Sequence, residues 1–362
     1  MPRLLKDVTL RQPLAASVGG PRVRLVVSNE HSRAALEIGR LTARKPGGQV
    51  VEALFRGRPT VRVAPGQRIS SDPLPLAVAS GERIETDLYL PGTNRLAGFH
   101  WDAREKSYIL RGNQAGSAVA PEGEPLPARA FVSALLVESA TPPRTVVAIG
   151  DSITDGNGST PGAGQRWPDH LARRLAPQGI AVLNAGISGN RLLRGGMGEA
   201  GLARFEADVL RQPGVQAVIV LLGTNDIGWP GGPFARAEPA MTQARLRRGF
   251  LQLAAKARSA GVRVIGATLP PFEDALKGTP LEGHHSPAKE SMRQELNAWI
   301  RNGGAFDGVI DFDAVLRDPA RPARLAAAFD SGDHLHPGDA GYKAMADAID
   351  LNALVGPAPG AK

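Results

Sequence analysis

Thr145-Val-Val-Ala-Ile-Gly-Asp-Ser-Ile-Thr-Asp-Gly156 is the stretch on which the fold turns. Its first six residues form a short continuous apolar run, the pattern of a strand covered on both faces. The run opens directly into a turn of small and polar residues. Three further apolar runs follow at Ile180–Leu183, Gln216–Leu222 and Val262–Leu269, with a shorter one at Gly308–Phe312. Helical periodicity fills the gaps, at Trp167–Leu175, Leu202–Leu210, Met241–Ala260, Ala288–Arg301 and Ala340–Ile349. Strands alternating with helices in this order predict an α/β domain, a parallel sheet with helices on both sides. In such sheets the reactive groups sit in loops leaving the C-terminal strand ends.

Before Arg144 the chain reads differently. Arg22–Asn29 alternates apolar with polar and is rich in β-branched residues, and similar runs occur at Gln49–Phe55, Thr60–Ala64, Arg83–Leu90, Lys106–Arg111 and Phe131–Glu138. Turn formers lie between them, among them Pro46-Gly-Gly48, Pro65-Gly66 and Pro91-Gly-Thr93. Short strands at this spacing predict a β-sandwich. Pro121–Pro127 reads as a loop and Ala140-Thr-Pro-Pro143 as a domain linker. The expected organisation is therefore a β-sandwich over 1–143, an α/β domain over 144–356 and a tail over 357–362.

The 362 residues carry a net charge of +8, which raises nucleic acid as a partner. The basic residues are mostly Arg, scattered, and no Lys/Arg block exceeds two, whereas a nucleic-acid face needs clustered charge. Abundant Ala, Gly, Pro and Arg read instead as the bias of a GC-rich genome. No apolar run is long enough for a membrane span. The chain has no cysteine, which removes disulfides, thiolate metal sites and thiol catalysis together. Met1-Pro-Arg-Leu-Leu-Lys6 shows no signal-peptide core. The compartment is secreted or periplasmic if a signal peptide preceded this start, and cytoplasmic otherwise.

Four motifs fall after apolar runs or before the last helix. Gly150-Asp-Ser-Ile-Thr-Asp-Gly156 can present the Ser152 hydroxyl at the sheet edge, although Asp and Ser are also favoured helix caps. Asn184-Ala-Gly-Ile-Ser-Gly-Asn-Arg191 offers an unobstructed backbone N–H at Gly189, as an oxyanion hole requires; the bland alternative is a plain loop. Gly223-Thr-Asn-Asp226 can aim the Asn225 amide at developing negative charge, but Asn is common in turns. In Asp333-His-Leu-His-Pro337 an Asp three residues before a His can accept from one ring nitrogen and leave the other as base. That spacing selects His336 over His334; a solvated acidic turn is the alternative.

The four blocks in this order resemble the SGNH (GDSL-like) hydrolase superfamily, named for one residue in each block. The resemblance covers residues 144 to about 355. Ile153 stands where the motif name has Leu. The resemblance implies a three-layer α/β/α domain and a serine esterase without a cofactor. Ser152 would be the nucleophile, His336 the base and Asp333 its orienting partner, with an oxyanion hole formed by the Ser152 and Gly189 N–H groups and the Asn225 side chain. Val26-Val-Ser-Asn-Glu-His31, Ser71-Asp-Pro-Leu-Pro-Leu76 and Asp87-Leu-Tyr-Leu-Pro-Gly92 further resemble two-domain bacterial members with a leading, jelly-roll-like sandwich. Some of these are known as lysophospholipase-like or xylan-esterase-like.

The expected substrate is a small-molecule or carbohydrate ester with a short, acetyl-like acyl group. Lipid-ester or thioester hydrolysis and acyl transfer are the alternatives within enzymes. A carbohydrate-binding protein with an inactive hydrolase domain is the alternative outside them. Arg191 and Trp229 are candidates for substrate binding, with a buried loop anchor as the other reading of Trp229. His284-His285 lacks a suitably spaced third ligand, so no metal site is expected, and a solvated loop near the pocket mouth is. Gly196-Met-Gly-Glu-Ala-Gly201 matches a dinucleotide fingerprint but does not follow a strand closing on a tight turn, so no nucleotide cofactor is expected. His100-Trp101 reads as core or surface packing before any role in a cleft.

Overall fold

A computed structural model describes residues 3–118 and 123–356. The chain divides into two compact units, Met1–Pro142 and Pro143–Lys362. The tail expected over 357–362 lies outside the described residues, as do Pro121 and Glu122.

The first unit is antiparallel throughout. Its larger sheet has six strands in the order Glu124–Leu126, Ser107–Arg111, Arg3–Ala15, Arg83–Leu96, Arg40–Arg44 and Val51–Glu52. A three-stranded sheet runs Val132–Val137, Val23–Ser28, Arg68–Ser70. The alternation read in the sequence is real: Val23, Leu25 and Val27 are buried, and they share one core with Leu10, Leu41 and Leu88 of the larger sheet. Two expectations need correction. Pro91-Gly-Thr93 is no turn between strands but lies inside Arg83–Leu96, where two residues bulge opposite Asp7. A bulge tolerates the absence of the N–H that proline lacks. Glu124–Leu126, read as loop, pairs with Ser107–Arg111.

The second unit holds a five-stranded parallel sheet. Its strands are β1 (Thr145–Gly150), β2 (Ala181–Gly186), β3 (Val215–Leu221), β4 (Arg263–Ala267) and β5 (Gly308–Ile310), in the spatial order β2-β1-β3-β4-β5. Val146 to Ile149 are buried on both faces, and each such side chain contributes about 1.5–3 kcal/mol by leaving water. The helices are α1 (Ser152–Asp155), α2 (Trp167–Leu175), α3 (Gly201–Phe205), α4 (Thr224–Gly228), α5 (Gln243–Ser259), α6 (Pro287–Asn302), α7 (Phe312–Leu316), α8 (Asp339–Asp347) and α9 (Leu351–Val355). The expected helix over 202–210 is α3 continued by a π turn, Glu206–Leu210. Leu246, Phe250, Leu253 and Ala257 of α5 recur at three- and four-residue steps and are buried, as an amphipathic helix on a sheet requires.

The order reverses between β1 and β3, so the crevice that such sheets use for ligands opens there. Register makes the three strand ends level: Gly150 pairs with Gly186 of β2 and with Leu221 of β3. The turn after β1 crosses β2 closely. A Cβ at Gly186 would stand 2.2 Å from the Asp155 amide nitrogen.

Gly186→Ala forces that turn off the sheet and is expected to cost about 1–3 kcal/mol, as overpacking does. Urea unfolding measures it; an unshifted midpoint would show that α1 does not depend on the missing side chain.

Candidate active site

The residue after β1 caps α1: the Asp151 carboxylate accepts from the Ile153 N–H at 3.0 Å. Ser152 is therefore the first helical residue, and its N–H is one that a helix leaves without an internal acceptor. Its hydroxyl lies 2.7 Å from His336 Nε2, a contact between residues 184 apart in sequence. His336 Nδ1 lies 2.6 Å from Asp333 Oδ2. The other Asp333 oxygen accepts from the backbone N–H groups of Leu335 and His336, at 2.9 and 2.8 Å. Burial works to raise the Asp333 pKa, but the His336 side-chain and backbone hydrogen bonds outweigh it and hold the carboxyl below the usual range. An ionised carboxylate fixed to Nδ1 sets the tautomer that leaves Nε2 free to accept from a hydroxyl.

The loop after β2 carries Gly189 at φ +74°, a left-handed conformation that favours glycine. A Cβ there would also meet Met197 Sδ at 2.7 Å and the Trp229 ring at 2.9 Å. Among the described residues, the N–H groups of Ser152 and Gly189 have no acceptor. Asn225, in the first turn of α4, spends one amide hydrogen on the Asn190 carbonyl at 3.0 Å and keeps the second. The structure thus brings Ser152, Asp333 and His336 into one hydrogen-bonded line. Gly189 and Asn225 are joined beside it through Asn190.

Arg191 is not free for a ligand. Its guanidinium, 5% exposed, pairs with Glu238 at 2.7 Å, donates to the Gly195 carbonyl and stacks 4.9 Å over the Trp229 ring. Trp229 is itself buried against Gly189 and lies 5.1 Å from Phe234, which is 57% exposed. His284 corrects a second expectation. It lies buried rather than solvated, edge-on to Phe272 and against Gly228, and burial pushes its pKa down to about 3. Trp101 lies half-exposed on a strand paired with Ala128–Ala130.

Several groups behind the site escaped the sequence reading. Asp155 accepts from the Ser188 N–H and hydroxyl, at 3.1 and 3.0 Å, and ties the loop after β2 to the turn after β1. Asp226 accepts from the N–H groups of Leu192 and Leu193, at 2.7 and 3.1 Å, and ties the same loop to α4. Burial raises Asp226 to about 6 despite those donors. Arg204 is buried beneath both strand ends. Its signal was present: it occupies the buried face of α3 with Gly201 and Phe205.

A family model described as GDSL-like Lipase/Acylhydrolase matches residues 148–344. No curated protein matches the chain. Among solved structures, an acetylxylan esterase from Geobacillus stearothermophilus is similar at 24% identity and TM-score 0.41, over 57% of this chain and 93% of that one. A carbohydrate acetylesterase from Sinorhizobium meliloti is similar at 18% identity and TM-score 0.43, over 57% and 96%. A GDSL-like lipase from Bacteroides thetaiotaomicron is similar at 21% identity and TM-score 0.42, over 58% and 87%.

Complete burial raises Asp151 from 3.8 to about 7, against the hydrogen bond from Ile153. The folded state then binds a proton that the unfolded state releases, so this group favours folding below about pH 4. The contribution is lost as pH rises through 7. Asp151→Asn keeps the capping acceptor and removes the titration. Relative to the parent, its stability is expected to improve between pH 5 and pH 8. Urea midpoints at the two pH values measure this; a parent–variant difference that stays constant would contradict a protonatable Asp151.

Proposed function

This chain belongs to the GDSL-like lipase/acylhydrolase family, and from that premise we propose that it is a serine esterase working through an acyl-enzyme. The observation that carries the reading is the continuous line from Asp333 through His336 to the Ser152 hydroxyl. A serine hydroxyl is a poor nucleophile until a base within hydrogen-bond reach takes its proton. In this reading His336 Nε2 accepts that proton as Ser152 Oγ attacks the ester carbonyl. Negative charge grows on the carbonyl oxygen, which collects the Ser152 and Gly189 N–H groups and the spare Asn225 amide hydrogen. Such preorganised donors act at full strength because they need not reorient. His336 then gives the proton to the departing alkoxide, and the C–O bond breaks. Water repeats the sequence on the acyl-enzyme, releasing the acid and restoring Ser152. Asp333 stays ionised throughout and steadies the imidazolium.

We assign a short, acetyl-like acyl group on a small or carbohydrate alcohol. Trp229 and Met197 pack against Gly189, and in this reading they close the pocket beside the oxyanion to a long chain. The exposed Phe234 ring beside Trp229 favours a second reading, in which an apolar chain lies along the two rings. Esters of graded acyl length separate the two. The first reading expects kcat/KM to fall steeply beyond about four carbons, because a short pocket cannot bury the extra methylenes; each such methylene is worth roughly 0.8 kcal/mol where it is buried. A steady rise with chain length would establish the second.

Ser152→Ala is expected to lower kcat by about 10³-fold or more on a p-nitrophenyl ester with the fold intact. Near-parental turnover would end the assignment. Asn225→Ala should cost about 10²–10³ in kcat. An unchanged rate would remove Asn225 from the oxyanion hole.

A further inference from the structure

The three donors proposed for the oxyanion come from three separate loops. β1 and β2 pair as far as Gly150 and Gly186, with one further bond from the Ile187 N–H to the Gly150 carbonyl at 3.2 Å, and beyond it the ladder fixes no distance between the loops. Yet donors must stand within about 2.7–3.1 Å of one developing oxygen to act together. Something other than the sheet has to set their spacing.

Arg204 touches the ends of β1 and β2 and the loop after β2 directly, and reaches the turn after β3 through Asn190. One guanidinium nitrogen donates to the Ala185 carbonyl at 2.7 Å, at the end of β2. Another donates to the Gly150 carbonyl at 3.0 Å, two residues before Ser152. That nitrogen and Nε also donate to Asn190 Oδ1, at 3.0 and 3.1 Å. The Asn190 amide cannot turn away, because its nitrogen donates to the carbonyls of Met197 and Glu199. Asn190 directly follows Gly189, and its own carbonyl accepts from Asn225. The chain of contacts therefore runs from the nucleophile strand through Arg204 to Gly189 and Asn225.

The position from which Arg204 acts is itself fixed. α3 docks on the loop end through Gly201 N–H to the Arg191 carbonyl and Leu202 N–H to the Leu192 carbonyl, at 2.8 and 3.1 Å. Among the described residues, the only carboxylate partner with a direct hydrogen bond is Asp208, at 2.8 Å on the exposed side. The inner edge of the guanidinium is given wholly to carbonyl and amide oxygens. A bulk-packing role would not need a planar fork of donors; an apolar side chain would fill the same space without the cost of burying a charge.

We propose that Arg204 is the positioning residue of the oxyanion hole, holding the Ser152, Gly189 and Asn225 loops at the spacing the transition state requires. It acts through Gly150, Ala185 and Asn190 and touches no substrate. The proposal rests on the reading of this site as a serine esterase.

The test uses Arg204→Met, which keeps the volume, and Arg204→Lys, which keeps the charge but cannot reproduce the fork. Asn190→Ala serves as a third variant, removing the link to Gly189 with Arg204 in place. Each is compared with the parent full-length chain for kcat and KM on p-nitrophenyl acetate, with competent sites counted by titration with a p-nitrophenyl phosphonate. The inhibition constant of an alkyl boronic acid, whose tetrahedral serine adduct mimics the oxyanion, is measured alongside. Folded variants are expected to lose about tenfold or more in kcat per competent site, with KM within about threefold. Boronic acid binding should weaken by the same factor as kcat.

A merely structural Arg204 would lower the melting temperature and the number of competent sites while each remaining site kept its parental kcat; that result overturns the proposal. If Arg204→Met does not fold, the same criterion applied to Arg204→Lys and Asn190→Ala decides. Ser152→Ala, run in parallel, keeps two failures apart. Its retained turnover would remove the esterase reading itself. An inactive Ser152→Ala beside Arg204 variants of parental kcat would remove the role of Arg204 alone.

Discussion

The ends of the three central strands stand level, Gly150 in register with Gly186 on one side and Leu221 on the other. Ser152, Gly189 and Asn225 hang from that line within four residues, unlike the Asp333–His336 pair. The pair arrives from the C-terminal loop and closes on Ser152. A slip of one residue in either parallel pairing would invert the faces of the strand. It would also carry Ser152 away from Gly189 or Asn225. Close packing on both faces of β1, from Val146 to Ile149, is what resists such a slip.

Behind the line lies an unusual amount of buried charge. Asp151, Asp155, Asp226 and Arg204 all sit within the core of the site. Buried ionisable groups rarely improve stability over well-packed apolar ones. Asp151 caps its own turn at Ile153, and the other three are spent on backbone groups of a different segment: Asp155 on Ser188, Asp226 on Leu192 and Leu193, Arg204 on Gly150 and Ala185. Irregular loops cannot satisfy all their own N–H and C=O groups, and buried side chains do it here. The consequence is a set of loops that is rigid without being regular. Trp229 extends the same logic outward, in contact with both Arg191 and Phe234.

Much of this was legible in the sequence, because its signals are local. Continuous apolar runs mark strands covered on both faces, and β1, β3 and β4 lie within two residues of where those runs predict them. Small-residue turns after the runs mark the loops. The aspartate three residues before His336 pairs with it as the spacing implied. What stayed hidden depends on contacts between distant residues. Pro91-Gly92 looks like a turn because its chemistry is that of a turn, yet the pairing of Arg3–Ala15 with Arg83–Leu96 absorbs it as a bulge. Arg191 looks available because arginine is usually exposed, and only the fold reveals that Glu238 and Trp229 occupy it. His284 lies in a stretch rich in glycine and proline, and packing against Gly228 and Phe272 buries it. Arg204 carried a faint signal, a charge on an apolar helix face, whose meaning lies in three carbonyl and amide oxygens elsewhere in the chain.

In the proposed reaction Ser152 carries the acyl group between the two halves. Mixing the protein with excess p-nitrophenyl acetate, quenching in acid within milliseconds and mapping the digest by mass spectrometry tests it directly. One acetyl group on the peptide containing Ser152, lost again on delayed quenching and absent in Ser152→Ala, is the predicted result. Steady p-nitrophenol release with no acetylated Ser152 peptide at any quench time, or acetylation that persists unchanged in Ser152→Ala, would contradict it.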